Sequence, residues 1–229
     1  MQPRRRMLLG FVLANSAIAA VAATLFLNRP LPPPQIQGVL LPDSRELAQF
    51  VLTDHRGDTF SNRDLKGRWH LVSYGFTSCP DVCPATLAEL ASFRSELAPE
   101  FRRDLQVVFY SVDHRRDTPA KLASYVSFFD PSFTGVTATD GDEMGAAAFA
   151  NSLGILSSLE PADGTTLDEG DYDVAHGVTL LLLNPEGELQ AVFEPQRAHG
   201  DEFPGFDIKT LIRDYTAIRT HTEGRDRRI

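Results

Sequence analysis

Cysteine, methionine and tryptophan are all scarce in this chain: two, three and one of 229 residues. Thiol chemistry is therefore confined to one place, Cys79 and Cys83. Met1, Met7 and Met144 are too few for a methionine-rich surface that handles a soft metal. No internal repeat is present. Acid is missing from residues 1–29, which hold Arg4, Arg5, Arg6 and Arg29, so of the net charge of −9 the remaining chain carries −13. An acidic domain is a poor match for nucleic acid and accommodates a basic or metal-bearing protein partner more readily. Base is missing from Glu160 to Asp173, where Glu160, Asp163, Asp168, Glu169, Asp171 and Asp173 stand with Gly164 and Gly170. The default reading of that stretch is a solvated loop. Its functional reading is a mobile, partner-facing segment, because it runs directly into His176.

Charge of either sign is missing from Met7 to Leu27. At about 1.5 Å each those residues reach roughly 31 Å, against a bilayer core of about 30 Å. Three preceding arginines favour leaving that end in the cytoplasm. The expectation is an uncleaved transmembrane anchor; a signal peptide cleaved after Ala17-Ile-Ala19 is the alternative. Pro30-Leu-Pro-Pro-Pro34 then forms a stiff spacer. The expected organisation is a cytoplasmic stub and anchor over 1–29, a proline-rich linker over 30–46, one folded domain over 47–220 and a flexible tail over 221–229.

The stretch with the most chemistry is Val72-Ser-Tyr-Gly-Phe-Thr-Ser-Cys79-Pro-Asp-Val-Cys83-Pro84. An apolar, β-prone run enters a turn that carries both cysteines. Apolar residues then recur at Leu87, Leu90, Ala91 and Leu97, with Arg94 interrupting, mostly a helical period. The pattern is strand, thiol loop, helix, with Pro84 suited to the first helical position. Unpaired amides at the helix start would favour thiolate. A thiolate is both the nucleophile of disulfide exchange and a soft ligand for Cu(I), zinc or an iron–sulfur centre. The three intervening residues, one more than in a Cys-x-x-Cys exchange centre, can aim both sulfurs at one point. A structural disulfide is the bland alternative, though so short a loop constrains little of the unfolded chain.

Around this centre, Phe50 to Phe60 reads as a hairpin about His55-Arg56-Gly57. Trp69–Phe76 and Leu105–Val112 read as buried strands. Thr118 with Pro119 starts a helix to about Phe129. A short strand near Val136–Ala138 and a helix from Asp140 to about Leu153 follow. Val178–Leu183, the turn Asn184-Pro-Glu-Gly187 and Glu188–Phe193 form a closing hairpin, and Asp207 to about Arg219 is the last helix. Alternating strands and helices predict an α/β fold, a parallel core sheet with helices on both faces.

Gly75-Phe-Thr-Ser-Cys-Pro-Asp-Val-Cys-Pro84 resembles the signature of the SCO/SenC family of copper chaperones for cytochrome c oxidase. Asp64-Leu-Lys-Gly67, Ser111-Val-Asp-His-Arg-Arg-Asp-Thr-Pro119 and Tyr172 to Gly187 resemble that family in order and spacing, so the likeness covers roughly Phe50 to Tyr215. It implies a thioredoxin-like fold that binds copper through two cysteines and a distant histidine. His176 falls in the family's histidine segment; the family commonly has Asp-His-Ser where this chain has Ala175-His176-Gly177. His114 stands where the family usually has proline and inherits no role. His55, His70, His199 and His221 read as surface residues.

Two thiolates and an imidazole suit Cu(I), one ion per chain, with Cys79, Cys83 and His176 as ligands. Asp81 could supply a fourth ligand, which keeps zinc open. Asp113 and Asp117 would shape the site or its docking face, and plain capping accounts for both equally well. The resemblance implies a copper chaperone that delivers the metal to, or matures, the dinuclear copper centre of cytochrome c oxidase. Its expected partners are the oxidase's copper-bearing subunit, an upstream copper donor or thiol reductant, and the membrane. The expected location is a bacterial inner membrane, single-pass, with the C-terminal domain in the periplasm. The enzymatic alternative is a thiol–disulfide reductase with Cys79 as nucleophile and Cys83 as resolving thiol, a redox-active disulfide pair.

Overall fold

The computed structural model describes residues 2–27, 32–139, 141–167, 170–196 and 204–226. Arg29, Pro30, Leu31, Asp140, Asp168, Glu169, His199 and the tail beyond Asp226 lie outside the described residues. Contacts divide the chain into two compact units, Met1–Pro33 with His221–Ile229, and Pro34–Thr220.

The first unit contains α1 (Gln2–Leu27). No helix among the described residues is long and apolar enough to cross a membrane. This overturns the expected transmembrane anchor, and with it the membrane as a partner and the single-pass, periplasm-facing placement. The described side chains run without a break only over residues 10–24, which at about 1.5 Å each reach roughly 22 Å, short of a bilayer core of about 30 Å.

The second unit is built on an eight-stranded sheet. Its strands are β1 (Gly38–Arg45), β2 (Val51–Asp54), β3 (Thr59–Ser61), β4 (Trp69–Gly75), β5 (Leu105–Ser111), β6 (Thr134–Thr137), β9 (Leu180–Leu183) and β10 (Leu189–Phe193). They run in the order β1-β10-β9-β4-β5-β6-β2-β3. Among the described residues only β4, β5 and β6 are mutually parallel. The remaining pairings are antiparallel, because the tight turn Asn184–Gly187 returns β10 beside β9, and β9 lies antiparallel against β4. The sheet is therefore mixed around a parallel centre.

Alternation along the central strands explains the two layers that cover it. Leu71, Val107, Phe109, Leu180 and Leu182 face one core, shared with Leu87, Leu90 and Phe93 of α2 (Val82–Glu96), Leu122 and Val126 of α4 (Pro119–Phe129), and Tyr215 and Ile218 of α6 (Ile208–Asp226). Val72, Val108, Tyr110, Leu181 and Leu183 face the other, with Ala146, Phe149 and Leu153 of α5 (Glu143–Leu153). Burying each such large apolar side chain contributes about 1.5–3 kcal/mol before chain entropy is set against it. Helices thus lie on both faces, as the alternation predicts, and the short α3 (Pro99–Arg103) leads from α2 into β5. α4 begins as its sequence predicts, with Pro119 in its first turn and the Thr118 hydroxyl accepting from the Lys121 amide.

Three elements depart from expectation. β1 lies within the stretch expected as linker; it is an edge strand whose pairing with β10 shifts between Leu40 and Arg45, around Pro42, which hides its period. α6 continues to Asp226 rather than ending near Arg219. The acidic stretch is bracketed by strands: β7 (Ser157–Pro161) and β8 (Tyr172–His176) pair antiparallel in a two-stranded ribbon of their own.

Candidate metal centre

All seven residues of β4 are buried, and the strand delivers the chain to the thiol turn at the C-terminal edge of the parallel centre. Open α/β sheets place their sites at that edge. α2 starts at Val82, so Cys83 sits in its first turn and Pro84 is the third helical residue rather than the first. Proline still loses no intrahelical bond there, since the first turn's amides have no helical acceptors. Cys79 is half-buried and Cys83 buried, and both are free thiols. The Cys83 amide points at the Cys79 Sγ at 3.5 Å. A hydrogen bond from the Cys83 thiol is the largest influence holding the Cys79 pKa down to about 4; burial opposes it and contacts with His176 and backbone amides assist. The same bond, with burial, pushes the Cys83 pKa well up. Charge therefore resides on Cys79 and the proton on Cys83.

His176 ends β8, opposite Ser157 of β7. Its Nε2 lies 3.5 Å from the Cys83 Sγ. Its Nδ1 donates to the Gly177 carbonyl at 2.7 Å. In the neutral ring that bond leaves the Nε2 lone pair facing the sulfurs, the tautomer a metal ligand requires. A backbone carbonyl thus orients the ring where the family's aspartate is replaced by Ala175. The rings of Tyr74 and Phe76 stand edge-on to the imidazole at 5.9 and 5.8 Å. Burial pulls the His176 pKa down, but its bonds to the Cys79 thiolate and the Gly177 carbonyl outweigh this and leave it raised.

The ligand atoms of Cys79, Cys83 and His176 all lie within 4.8 Å of one another. With metal–ligand bonds of about 2.0–2.3 Å, a trigonal site separates its ligands by roughly 3.5–4 Å. The cluster fits a metal ion after an inward movement of about 1 Å, within reach of side-chain rotation. It opens on a cleft of about 530 Å³ lined by Phe76, Cys79, Arg116, Tyr172, His176 and Val178.

The other candidates fall elsewhere. Asp81 is exposed, makes no capping bond and does not join the cluster. Among the described residues the donor set is therefore two sulfurs and one nitrogen, which favours Cu(I) over a four-coordinate zinc site. Asp113 is fully buried and accepts from the Tyr172 hydroxyl at 2.6 Å and from Arg116. Asp117, also fully buried, accepts from the Thr77 amide at 2.8 Å and the Ser111 hydroxyl at 2.7 Å. Both brace the site and neither belongs to the ligand cluster. His114 has both ring nitrogens engaged, one with Tyr110 and the other with Thr137 and the Ala138 amide. His70, expected at the surface, is buried, and burial first of all lowers its pKa to about 4. Sequence reasoning missed Gly75, Thr77, Arg116 and Tyr172. One signal was available: Tyr172, Val174 and His176 alternate with exposed Asp173 and Ala175, the period of a half-buried strand.

The SCO1/SenC family pattern matches residues 41–204. A Stutzerimonas stutzeri protein named for copper binding is 37% identical over 76% of this chain and 81% of its own length. The human mitochondrial SCO1 homolog is 33% identical over 72% of this chain; the chain spans only 52% of that relative's length. The crystal structure of Arabidopsis thaliana ScoI with copper bound superposes with a TM-score of 0.63 at 26% identity, covering 76% of this chain and 98% of that one. The fold is thioredoxin-like, and the Cys/His cluster together with these likenesses supports a SCO-type copper-handling role. The chain belongs to the SCO1/SenC family.

Proposed function

We propose that this protein is a copper metallochaperone that carries one Cu(I) on Cys79, Cys83 and His176 and delivers it to, or matures, the dinuclear copper centre of cytochrome c oxidase. The observation that carries the reading is the convergence of two thiols and a correctly oriented imidazole within 4.8 Å, from positions 93 residues apart. Soft thiolates retain Cu(I) against harder competitors. Three ligands leave room for an incoming thiolate or imidazole to displace His176 first and the sulfurs afterwards. The oxidase's copper-bearing subunit is the acceptor in this reading, and no bond of a substrate is made or broken.

One observation favours a second reading. A half-buried Cys79 thiolate beside a buried, protonated Cys83 is also the arrangement of a nucleophile and its resolving thiol, suited to reducing the oxidase's copper-site cysteines. The His176→Ala variant separates the two. Its thiol–disulfide potential should stay within roughly 30 mV of the parent, about 1.4 kcal/mol for two electrons. Its Cu(I) affinity should fall at least tenfold, about 1.4 kcal/mol. Failure of oxidase assembly in cells carrying this variant supports metal delivery. Full assembly despite lost copper binding would replace the chaperone with the reductase.

A further inference from the structure

The loop between β5 and α4 holds both halves of the centre. Asp117 takes the Thr77 amide and the Thr77 hydroxyl, at 2.8 and 2.5 Å, and so fixes the thiol turn two residues before Cys79. Four residues earlier in the chain, Asp113 takes the Tyr172 hydroxyl at 2.6 Å. Between them, Arg116 pairs with Asp113, stacks over the Tyr172 ring at 3.9 Å and donates to the Tyr172 carbonyl at 3.1 Å. The same guanidinium lies 6.0 Å from the ring of Phe76, at the start of the thiol turn.

These contacts matter because of what the ribbon lacks. Among the described residues, β7 and β8 pair with each other and with no strand of the eight-stranded sheet. An isolated two-stranded ribbon is marginal in water. No backbone ladder fixes β8 relative to the thiols; the chain ties its His176 end to β9 through residues 177–179, and side chains must hold the Tyr172 end. Tyr172 and His176 are four residues apart on a strand, hence on the same face and about 13 Å apart. Tyr172 is 4% exposed and gripped on ring, hydroxyl and carbonyl; His176 at the other end is half-buried. A small tilt at Tyr172 becomes a displacement of the imidazole, and binding sites tolerate about 0.5 Å of misplacement.

We infer that Tyr172, clamped between Asp113 and Arg116, is a positioning residue that holds His176 over the thiol pair and sets how readily the histidine leaves the metal. The inference rests on His176 being a ligand and adds the device that governs it. Loosening the clamp acts on the one ligand whose departure opens the site, and leaves the thiols, held separately through Asp117 and Thr77, in place.

The test is a double-mutant cycle on the full chain, with Cu(I) partitioned anaerobically against a chromophoric chelator. Tyr172→Phe keeps the stacked ring and removes only the hydroxyl. It should weaken Cu(I) binding about fivefold in the parent and less than about twofold in a His176→Ala background. Cu(I) release to the chelator should accelerate to match, while the equilibrium constant for disulfide exchange with glutathione changes less than about twofold. Arg116→Lys, which keeps the charge beside Asp113 but loses the planar stack, should act in the same direction. Equal losses in both backgrounds would make Tyr172 a general support of the fold and overturn the inference, as would no loss in the parent. If His176→Ala itself leaves Cu(I) affinity unchanged, the ligand assignment has failed, and the clamp falls with it.

Discussion

A methyl group placed on Gly75 would lie 2.4 Å from the Sγ of Cys83. The last residue of β4 and the second thiol are thus in direct contact, and only the absence of a side chain admits the sulfur. Gly75→Ala should displace Cys83 or β4, with an overpacking penalty of about 1–3 kcal/mol. The measurements are the urea midpoint and the Cu(I) affinity. Affinity should fall at least about tenfold; unchanged affinity would mean the sulfur has another place to sit.

Copper binding should strengthen as pH rises. The metal needs Cys83 as thiolate and His176 neutral, and both groups have raised pKa values, so both release protons on binding. Cys79, held near 4, is already ionised above about pH 5 and releases none. The logarithm of the Cu(I) binding constant should therefore climb by about one per pH unit wherever His176 is already neutral, from Cys83 alone. Below the His176 pKa the slope should steepen toward about two. A flat profile between pH 6 and 8 would contradict the proton placement.

Thr77→Val removes one donor from the fully buried Asp117 while preserving shape. Under-satisfying a buried carboxylate costs about 1–3 kcal/mol. Denaturant unfolding should register that loss, and alkylation of Cys79 by iodoacetamide should change rate as the turn loosens. An alkylation rate equal to the parent's would show that the turn is held by other contacts.

His70 titrates against the fold. Its folded-state pKa is depressed by burial to about 4 from an ordinary 6.5. Below pH 6.5 the unfolded chain binds a proton the native chain refuses, so stability declines from about pH 6.5 down to about 4. The decline attributable to this residue is on the order of 3 kcal/mol. His70→Leu should remove that part of the acid sensitivity, read as the difference between the two chains' unfolding free energies at pH 7 and pH 4.5. Parallel pH curves would locate the sensitivity elsewhere.

Local pattern carried a large part of this protein. The thiol turn between a wholly buried strand and a helix, the parallel β4–β5 pair and the capped start of α4 were all legible, because burial, turn chemistry and capping depend on neighbours a few residues away. Family likeness singled out His176. Charge-free length at the N-terminus misled: no helix among the described residues is long and apolar enough to cross a membrane. Three relationships were decided by tertiary structure alone: the closeness of Gly75 to Cys83, the grip of Asp113 and Arg116 on Tyr172, and the separate β7–β8 ribbon. The first depends on how the thiol turn folds back over the end of β4, and the other two join groups distant in sequence or depend on which strand edges meet. A residue's own type and spacing record how buried it will be; what it will touch is settled only when the sheet order closes.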